Sequence, residues 1–189
     1  METRLSVRVT AVDANTVTLS SGEIIPTRTV VWCGGMRASP VVQTLPVERD
    51  RLGRLHVDHF MRLAGATNIF AAGDVAACVM DGKHSTVMSC QFARPMGRFA
   101  GNNVVADLLG QPMLPLDIDW YVTVLDLGSW GALHTVGCDR QLHASGAAAK
   151  ATKQIINRQR IYPPRTGVRS DILAAAAPTV QKPPPTVRR

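Results

Sequence analysis

The sequence predicts an α/β fold, and three observations carry that prediction. Thr29-Val30-Val31-Trp32-Cys33 is an unbroken apolar run of strand length that stops at Gly34-Gly35, the pattern of a strand covered on both faces in a parallel sheet. A second short apolar strand within Thr67-Asn68-Ile69-Phe70-Ala71-Ala72 ends in Gly73-Asp74. There a glycine permits close approach, and a carboxylate stands where open α/β sheets bind ligands. Residues 88–109 then place Phe92, Met96, Phe99, Val104 and Leu108 at helical spacing.

Taken in order, the chain opens with a hairpin over residues 5–20. Leu5, Val7 and Val9 alternate with polar neighbours, Asp13-Ala14-Asn15 turns the chain, and Val17 and Leu19 resume the alternation. Ser21-Gly22 reverses it again. Ser39-Pro40 is a cap and first turn for a short helix through Leu45. A polar loop from Glu48 to Arg54 leads to a strand at Leu55-His56-Val57-Asp58, and Asp81-Gly82-Lys83-His84 marks another loop. Pro95 lacks an N–H and suits a first turn, so the regular part of the long helix is expected to begin near it. Gly97 and Gly101, four apart on one face, each cost about 1 kcal/mol relative to Ala in an exposed helix and are expected to let a strand or cofactor pack closely.

Gly110-Gln111-Pro112 ends that helix. Trp120–Leu127 and Gly131–Gly137 read as two strands joined through Gly128-Ser129-Trp130. A last helix follows over Ala147–Tyr162, with Lys150, Lys153, Arg158 and Arg160 directed outward. Residues 163–189 contain 6 Pro and are expected to be mostly disordered, with at most a short helix near 169–177. The predicted organisation is a first domain over 1–115, a hairpin-and-helix region over 116–162 and a basic Pro-rich tail over 163–189.

Composition narrows the function classes. With 189 residues, 46% hydrophobic and 19% charged, the chain can build an ordinary core and is not a disordered protein. It has no apolar run long enough to span a bilayer and no basic-then-apolar leader, so a cytoplasmic address is the default expectation. The four cysteines, Cys33, Cys78, Cys90 and Cys138, form no C-x-x-C pair and are read as small buried hydrophobes. His56-x-x-His59 is read as a solvated pair, because residues three apart on a strand point to opposite faces; no metal site is expected.

The net charge of +7 is a property of the tail. Residues 1–149 carry 12 basic against 13 acidic side chains, whereas residues 150–189 carry 9 basic against Asp171 alone. A basic tail behind a neutral body reads as a solubilising extension, and 5% aromatic residues leave little material for base stacking. Nucleic acid is therefore not an expected partner.

Val30-Val31-Trp32-Cys33-Gly34-Gly35, the loop with Gly53-Arg54, Asn68-Ile69-Phe70-Ala71-Ala72-Gly73-Asp74, the helix opening near Cys90-Gln91 and the Gly128-Ser129-Trp130-Gly131-Ala132 hairpin together carry a family resemblance. Over residues 5–137 the chain resembles the C-terminal half of the pyridine nucleotide-disulfide oxidoreductase superfamily, and within it the type II NADH dehydrogenase (NADH:quinone oxidoreductase) flavoproteins. The resemblance implies an incomplete FAD/NAD(P)-binding domain, Rossmann-like and three-layered, followed by a C-terminal β-hairpin plus helix. It also implies FAD as cofactor and NADH as the substrate of the intact enzyme. Gly73 and Asp74 would meet the ribityl chain of FAD, an ionised carboxylate being acceptor-only. The backbone around Gln91, Phe92 and Ala93 would face the pyrimidine end of the isoalloxazine, where a helix N-terminus stabilises negative charge. No catalytic side chain is implied within this chain.

Two departures qualify the resemblance. Quinone-using members show Ala-Gln-x-x-x-Gln-Gln at this helix, and here Gln91 alone of the glutamines matches, so the electron acceptor is not specified. No G-x-G occurs in the chain, whereas FAD and NADH each need a Gly-rich turn at a helix N-terminus. The expectation is a partial oxidoreductase, inactive without an N-terminal half. Three origins fit: a truncated gene, one half of a split enzyme with an upstream-encoded partner, or a degenerate paralogue. The alternative is a non-catalytic dimerisation module derived from such an enzyme. Homo-oligomers and, at most, peripheral membrane contact complete the expected partners.

Overall fold

The computed structural model describes residues 2–185. The chain divides into two compact units, residues 1–35 and 36–189.

In the first unit, β1 (Val9–Val12), β2 (Thr16–Leu19) and β3 (Ile24–Pro26) form an antiparallel sheet in that order. The expected turn is there. Asp13 Oδ1 accepts from the N–H groups of Asn15 and Thr16, both at 2.8 Å, and Oδ2 accepts from the Thr16 hydroxyl at 2.7 Å, so one carboxylate organises the reversal. Pro26 lies on an edge strand, where its missing donor costs no ladder bond. The run 29–33 departs from expectation: it forms no strand, and Val31 and Trp32 are 79% and 70% exposed. A strand holds only where neighbours take its N–H and C=O groups, and among the described residues no strand pairs with it.

In the second unit, Ser39 Oγ accepts from the Val41 N–H at 3.4 Å and Pro40 opens the turn, as expected, although the element is a 3-10 turn over Pro40–Thr44. β4 (Leu55–Val57) runs parallel to β5 (Ala76–Cys78), with Leu55 opposite Ala76 and Val57 opposite Cys78. The predicted strand before Gly73-Asp74 is displaced: the regular strand, β5, follows that pair. Residues 69–71 instead pair irregularly with 61–63, through Leu63 N–H to Ile69 O at 2.9 Å and Ala71 N–H to Met61 O at 3.0 Å. The reason is the 58–63 turn, in which the Asp58 carboxylate accepts from Phe60 and Arg62 N–H at 2.9 Å each. It folds back with Met61 fully buried at φ +67°, and so takes the place of a straight ladder partner.

α1 spans Cys90–Leu108 and buries Phe92, Met96 and Phe99 against Val57, Met61 and Cys78. It opens at Cys90, where the resemblance puts it, and its regular part starts well before Pro95, against the expectation drawn from that proline. Pro95 is buried inside the helix, and the carbonyl of Gln91 is left without its usual helical donor. Nothing lies within 4 Å of where a Cβ would stand on Gly97 or Gly101, so the expected close packing on this face is absent among the described residues. Near the C-terminal end of α1, Asn103 is fully buried; its Nδ2 donates to the Phe60 and Leu114 carbonyls at 3.0 and 2.8 Å, and its Oδ1 accepts from Leu114 N–H at 2.9 Å. The extended segment after it points Leu116 and Ile118 inward.

β6 (Val122–Asp126) and β7 (Ala132–Val136) are the expected hairpin strands, extended by a third antiparallel strand, β8 (Gln141–Ser145). α2 (Gly146–Ile155) continues as a π turn over Ile156–Arg160 and packs Ala149 on Val124 and Ala132. Lys150 ties α2 to β6 through Asp126 at 2.5 Å; that ammonium, with the Gly128 N–H, holds the Asp126 carboxyl below the usual carboxylate range. α3 (Arg169–Ala175) matches the short helix expected in the tail. Residues 179–185, which composition reads as disordered, make three hydrogen bonds back to the fold: Arg98 donates to Thr179 O at 3.3 Å, Arg160 to Lys182 O and Thr152 Oγ1 to Pro185 O at 3.3 Å. Side-chain donors on α1, α2 and the π turn thus satisfy a Pro-rich backbone that cannot form a ladder. Among the described residues no helix is long and apolar enough to cross a membrane.

Candidate functional site

The sequence-predicted residues meet where a tight turn touches the start of α1. Ala72 is extended, Gly73 takes φ +76° and begins a 3-10 turn over Gly73–Val75, and β5 follows, buried along its whole length. A side chain is disfavoured at that φ, which makes glycine the fitting residue. A Cβ built on Gly73 would lie 3.8 Å from the Cβ of Ala93, so the turn rests against the first turn of α1. Asp74 projects from it, exposed and with no intramolecular partner among the described residues.

The N-terminus of α1 is incompletely capped. The Ser89 carbonyl accepts from Phe92 and Ala93 N–H at 3.1 and 2.9 Å, leaving the N–H groups of Cys90 and Gln91 ahead of the first intrahelical bond. The Ser89 side chain makes no cap, and its Oγ is buried without a hydrogen-bond partner. Gln91 commits its side-chain amide to the Trp120 carbonyl at 3.2 Å. Phe92 turns into the core, tilted against Tyr121 with ring centroids 5.9 Å apart. Of the five predicted residues, Gly73 rests against Ala93, while the side chains of Gln91 and Phe92 hold the helix to the segment around Trp120.

The cysteine reading is corrected. Cys33, Cys90 and Cys138 are exposed, because they stand in an unpaired segment, on the first turn of α1 and in the turn between β7 and β8. Cys78 alone is buried; burial, and then the nearby Asp58 charge, pushes its thiol up to about 11, which makes it an inert packing residue. His56 and His59 are both exposed, and His59 Nδ1 lies 3.0 Å from the Leu116 carbonyl. No group of metal-ligating side chains forms among the described residues.

Two features escaped the sequence. Arg54 is a buried guanidinium, held by Asp50 at 2.7 Å and donating to the Thr86 carbonyl at 2.5 Å. Burial raises the Asp50 carboxyl, but hydrogen bonds from the Arg54 backbone and side chain and from Leu52 N–H outweigh it and hold the group below its ordinary value. Arg160, read as outward, is half-buried, accepts from Arg94 at its carbonyl and lines one cavity with Arg94 and Arg98 of α1. The i, i+4 spacing of Arg94 and Arg98 was the available signal; the approach of Arg160 was not legible without the fold.

Comparison with known proteins shows the family. The sequence profile of the pyridine nucleotide-disulphide oxidoreductase family matches residues 1–97. An NADH dehydrogenase-like protein of Mycobacterium tuberculosis is 60% identical over 184 residues, which cover 97% of this chain and 46% of that protein. A demethylphylloquinone reductase of Synechocystis is 31% identical over 152 residues, 78% of this chain and 37% of that protein. A type II NADH:quinone oxidoreductase of Haemophilus influenzae is 27% identical over 131 residues, 69% of this chain and 30% of that protein. The chain thus spans less than half the length of these relatives. With the profile over half of its residues and these relatives across most of the rest, the chain belongs to the pyridine nucleotide-disulphide oxidoreductase family and is similar to its type II NADH dehydrogenase-like members.

Proposed function

We propose that this chain supplies the ribityl-facing and isoalloxazine-facing part of an FAD-dependent NADH:acceptor oxidoreductase. The observation that supports this is the Gly73–Val75 turn, which carries the exposed Asp74, resting at Gly73 against Ala93 in the first turn of an under-capped helix. The residues present fit one end of the cofactor. Gly73 leaves a surface free of side chain, and Ser89 Oγ is a buried polar atom with no partner among the described residues. They do not provide a pyrophosphate cradle, since no G-x-G is present.

When bound, FAD supplies two-electron transfer between NADH and the acceptor. The chain's own part is positioning. Asp74 accepts a hydrogen bond from a sugar-like hydroxyl, while the N–H groups of Cys90 and Gln91 and the dipole of α1 favour negative charge at the helix start. The Gln91–Trp120 bond keeps that helix start in register with the segment leading into β6.

The proposed organisation remains an incomplete Rossmann-like FAD/NAD(P)-binding domain over 1–115, a hairpin-and-helix region over 116–162 and a tail over 163–189. An N-terminal half and a second copy of the chain are the proposed partners. The test is turnover of NADH with FAD and a dye acceptor, first with the 189-residue chain and then with an upstream-encoded half added. Activity only in the second case is expected. Turnover by the chain alone would refute the partial-enzyme reading, and none in either case would favour the non-catalytic module.

A further inference from the structure

α1 carries Arg94 and Arg98 one turn apart, and the π turn after α2 brings Arg160 to them. The Arg94 guanidinium donates to the Arg160 carbonyl. Arg98 and Arg160 each donate to a carbonyl of the 179–185 segment. All three are half-buried, and among the described residues none is paired with a carboxylate. Each guanidinium has five donors and spends only one in these bonds. Burial, and then the positive charge of Arg94, makes both Arg98 and Arg160 easier to deprotonate than usual: the fold concentrates like charge here, with no carboxylate paired to it among the described residues.

Two adjoining cavities open on this cluster. The inner one, about 80 Å³, is lined by Arg94, Arg98 and Arg160 together with Gln91, Pro95 and Trp120. The outer one, about 420 Å³, is lined by Arg94 and Arg160 again, with Arg158, Arg165 and Tyr162. Arg94 and Arg160 therefore stand on the wall the two cavities share. The inner space is far below the roughly 300 Å³ at which pockets for whole small molecules begin, so it suits a head group or a few atoms rather than a nucleotide.

We propose that Arg94, Arg98 and Arg160 form a site for a phosphoryl group. A phosphate carries about −1.5 to −2 charge at pH 7 and offers acceptor oxygens on several sides, which matches forks converging from α1 and from the π turn. A carboxylate, with one charge and two oxygens, satisfies a single fork. Asp74 and Gly73 take no part in the site, although Gln91, which belongs to the flavin reading, lines its inner cavity.

The test is isothermal titration calorimetry of the full chain at low ionic strength and pH 7 with inorganic phosphate, phenyl phosphate and benzoate. Both phosphates are expected to bind about tenfold or more tightly than benzoate. Phenyl phosphate binding more tightly than inorganic phosphate identifies the head group of a larger ligand; the reverse identifies free phosphate. Arg94→Lys and Arg160→Lys keep the charge but lose the fork, and each should weaken phosphate about tenfold, whereas Arg140→Lys in the distant β7–β8 turn should not. Hydrogen exchange of residues 179–185 reports whether a variant has merely released that segment. No phosphate binding, equal binding of benzoate, or lysine variants that bind phosphate unchanged with the segment in place would each overturn the proposal.

Discussion

Gly131 lies directly against the backbone of Gly146: a Cβ built on Gly131 would stand 2.5 Å from the Gly146 carbonyl carbon, and Gly131 itself has φ +100°. The contact joins the start of β7 to the start of α2, and no side chain fits between them. Gly131→Ala should therefore cost more than about 3 kcal/mol, from steric overlap added to a disfavoured φ. Gly128→Ala, at φ +63° with nothing within 4 Å, should cost only about 1–2 kcal/mol. Urea denaturation of the two variants side by side checks this; equal losses would contradict it.

Asp74 is exposed, and its carboxylate has no hydrogen bond or ion pair among the described residues. Asp74→Ala should leave the urea midpoint unchanged while weakening flavin retention by about 1–3 kcal/mol in a reconstituted or full-length protein, the scale of a lost charge-assisted hydrogen bond. Flavin fluorescence during dialysis measures it. Unaltered retention would count against the flavin-facing role.

Asn103 uses both amide hydrogens and its oxygen to join α1 to the chain at Phe60 and Leu114. Asn103→Ala leaves two carbonyls and one N–H to find other partners at a fully buried site, and a loss of about 2–4 kcal/mol is expected. A change below about 0.5 kcal/mol, the ordinary effect of a surface substitution, would show that the segment is held by packing instead.

His134 on β7 is 2% exposed, neither ring nitrogen has a hydrogen-bond partner among the described residues, and the His143 ring stands edge-on at 5.0 Å. Burial, and then His143, lowers its pKa below the ordinary value. The unfolded chain therefore takes up this proton near pH 6.5, before the folded chain does. Stability attached to the site is intact above about pH 6.5 and is lost as pH falls below it. Thermal melts between pH 7.5 and 5 should show that decline, and His134→Leu should flatten it; an unchanged slope would assign the decline elsewhere.

Much of the local structure was legible before any coordinates. Asp13, Ser39-Pro40, the apolar spacing of α1 and the Gly128–Gly131 connection each act through residues close in sequence, and propensity, capping and turn chemistry are local forces. The Gly73-Asp74 pair and the opening of α1 at Cys90-Gln91 were legible for the same reason: small residues and a carboxylate between apolar segments form a compact pattern.

What the tertiary structure alone decided depends on partners distant along the chain. The apolar run 29–33 has strand composition but finds no ladder partner among the described residues, so composition could not make it a strand. Pro95 sits inside α1 because its ring is buried in the core, a packing gain that local helix rules do not count. Arg160 reaches Arg94 only because the π turn continues α2, and the carbonyls of Thr179 and Lys182, which carry no sequence signal, accept from Arg98 and Arg160. Periodicity reports which face of an element is apolar; which element covers that face, and which charges are left facing one another without a counter-ion, is settled by chain crossings that only the assembled fold contains.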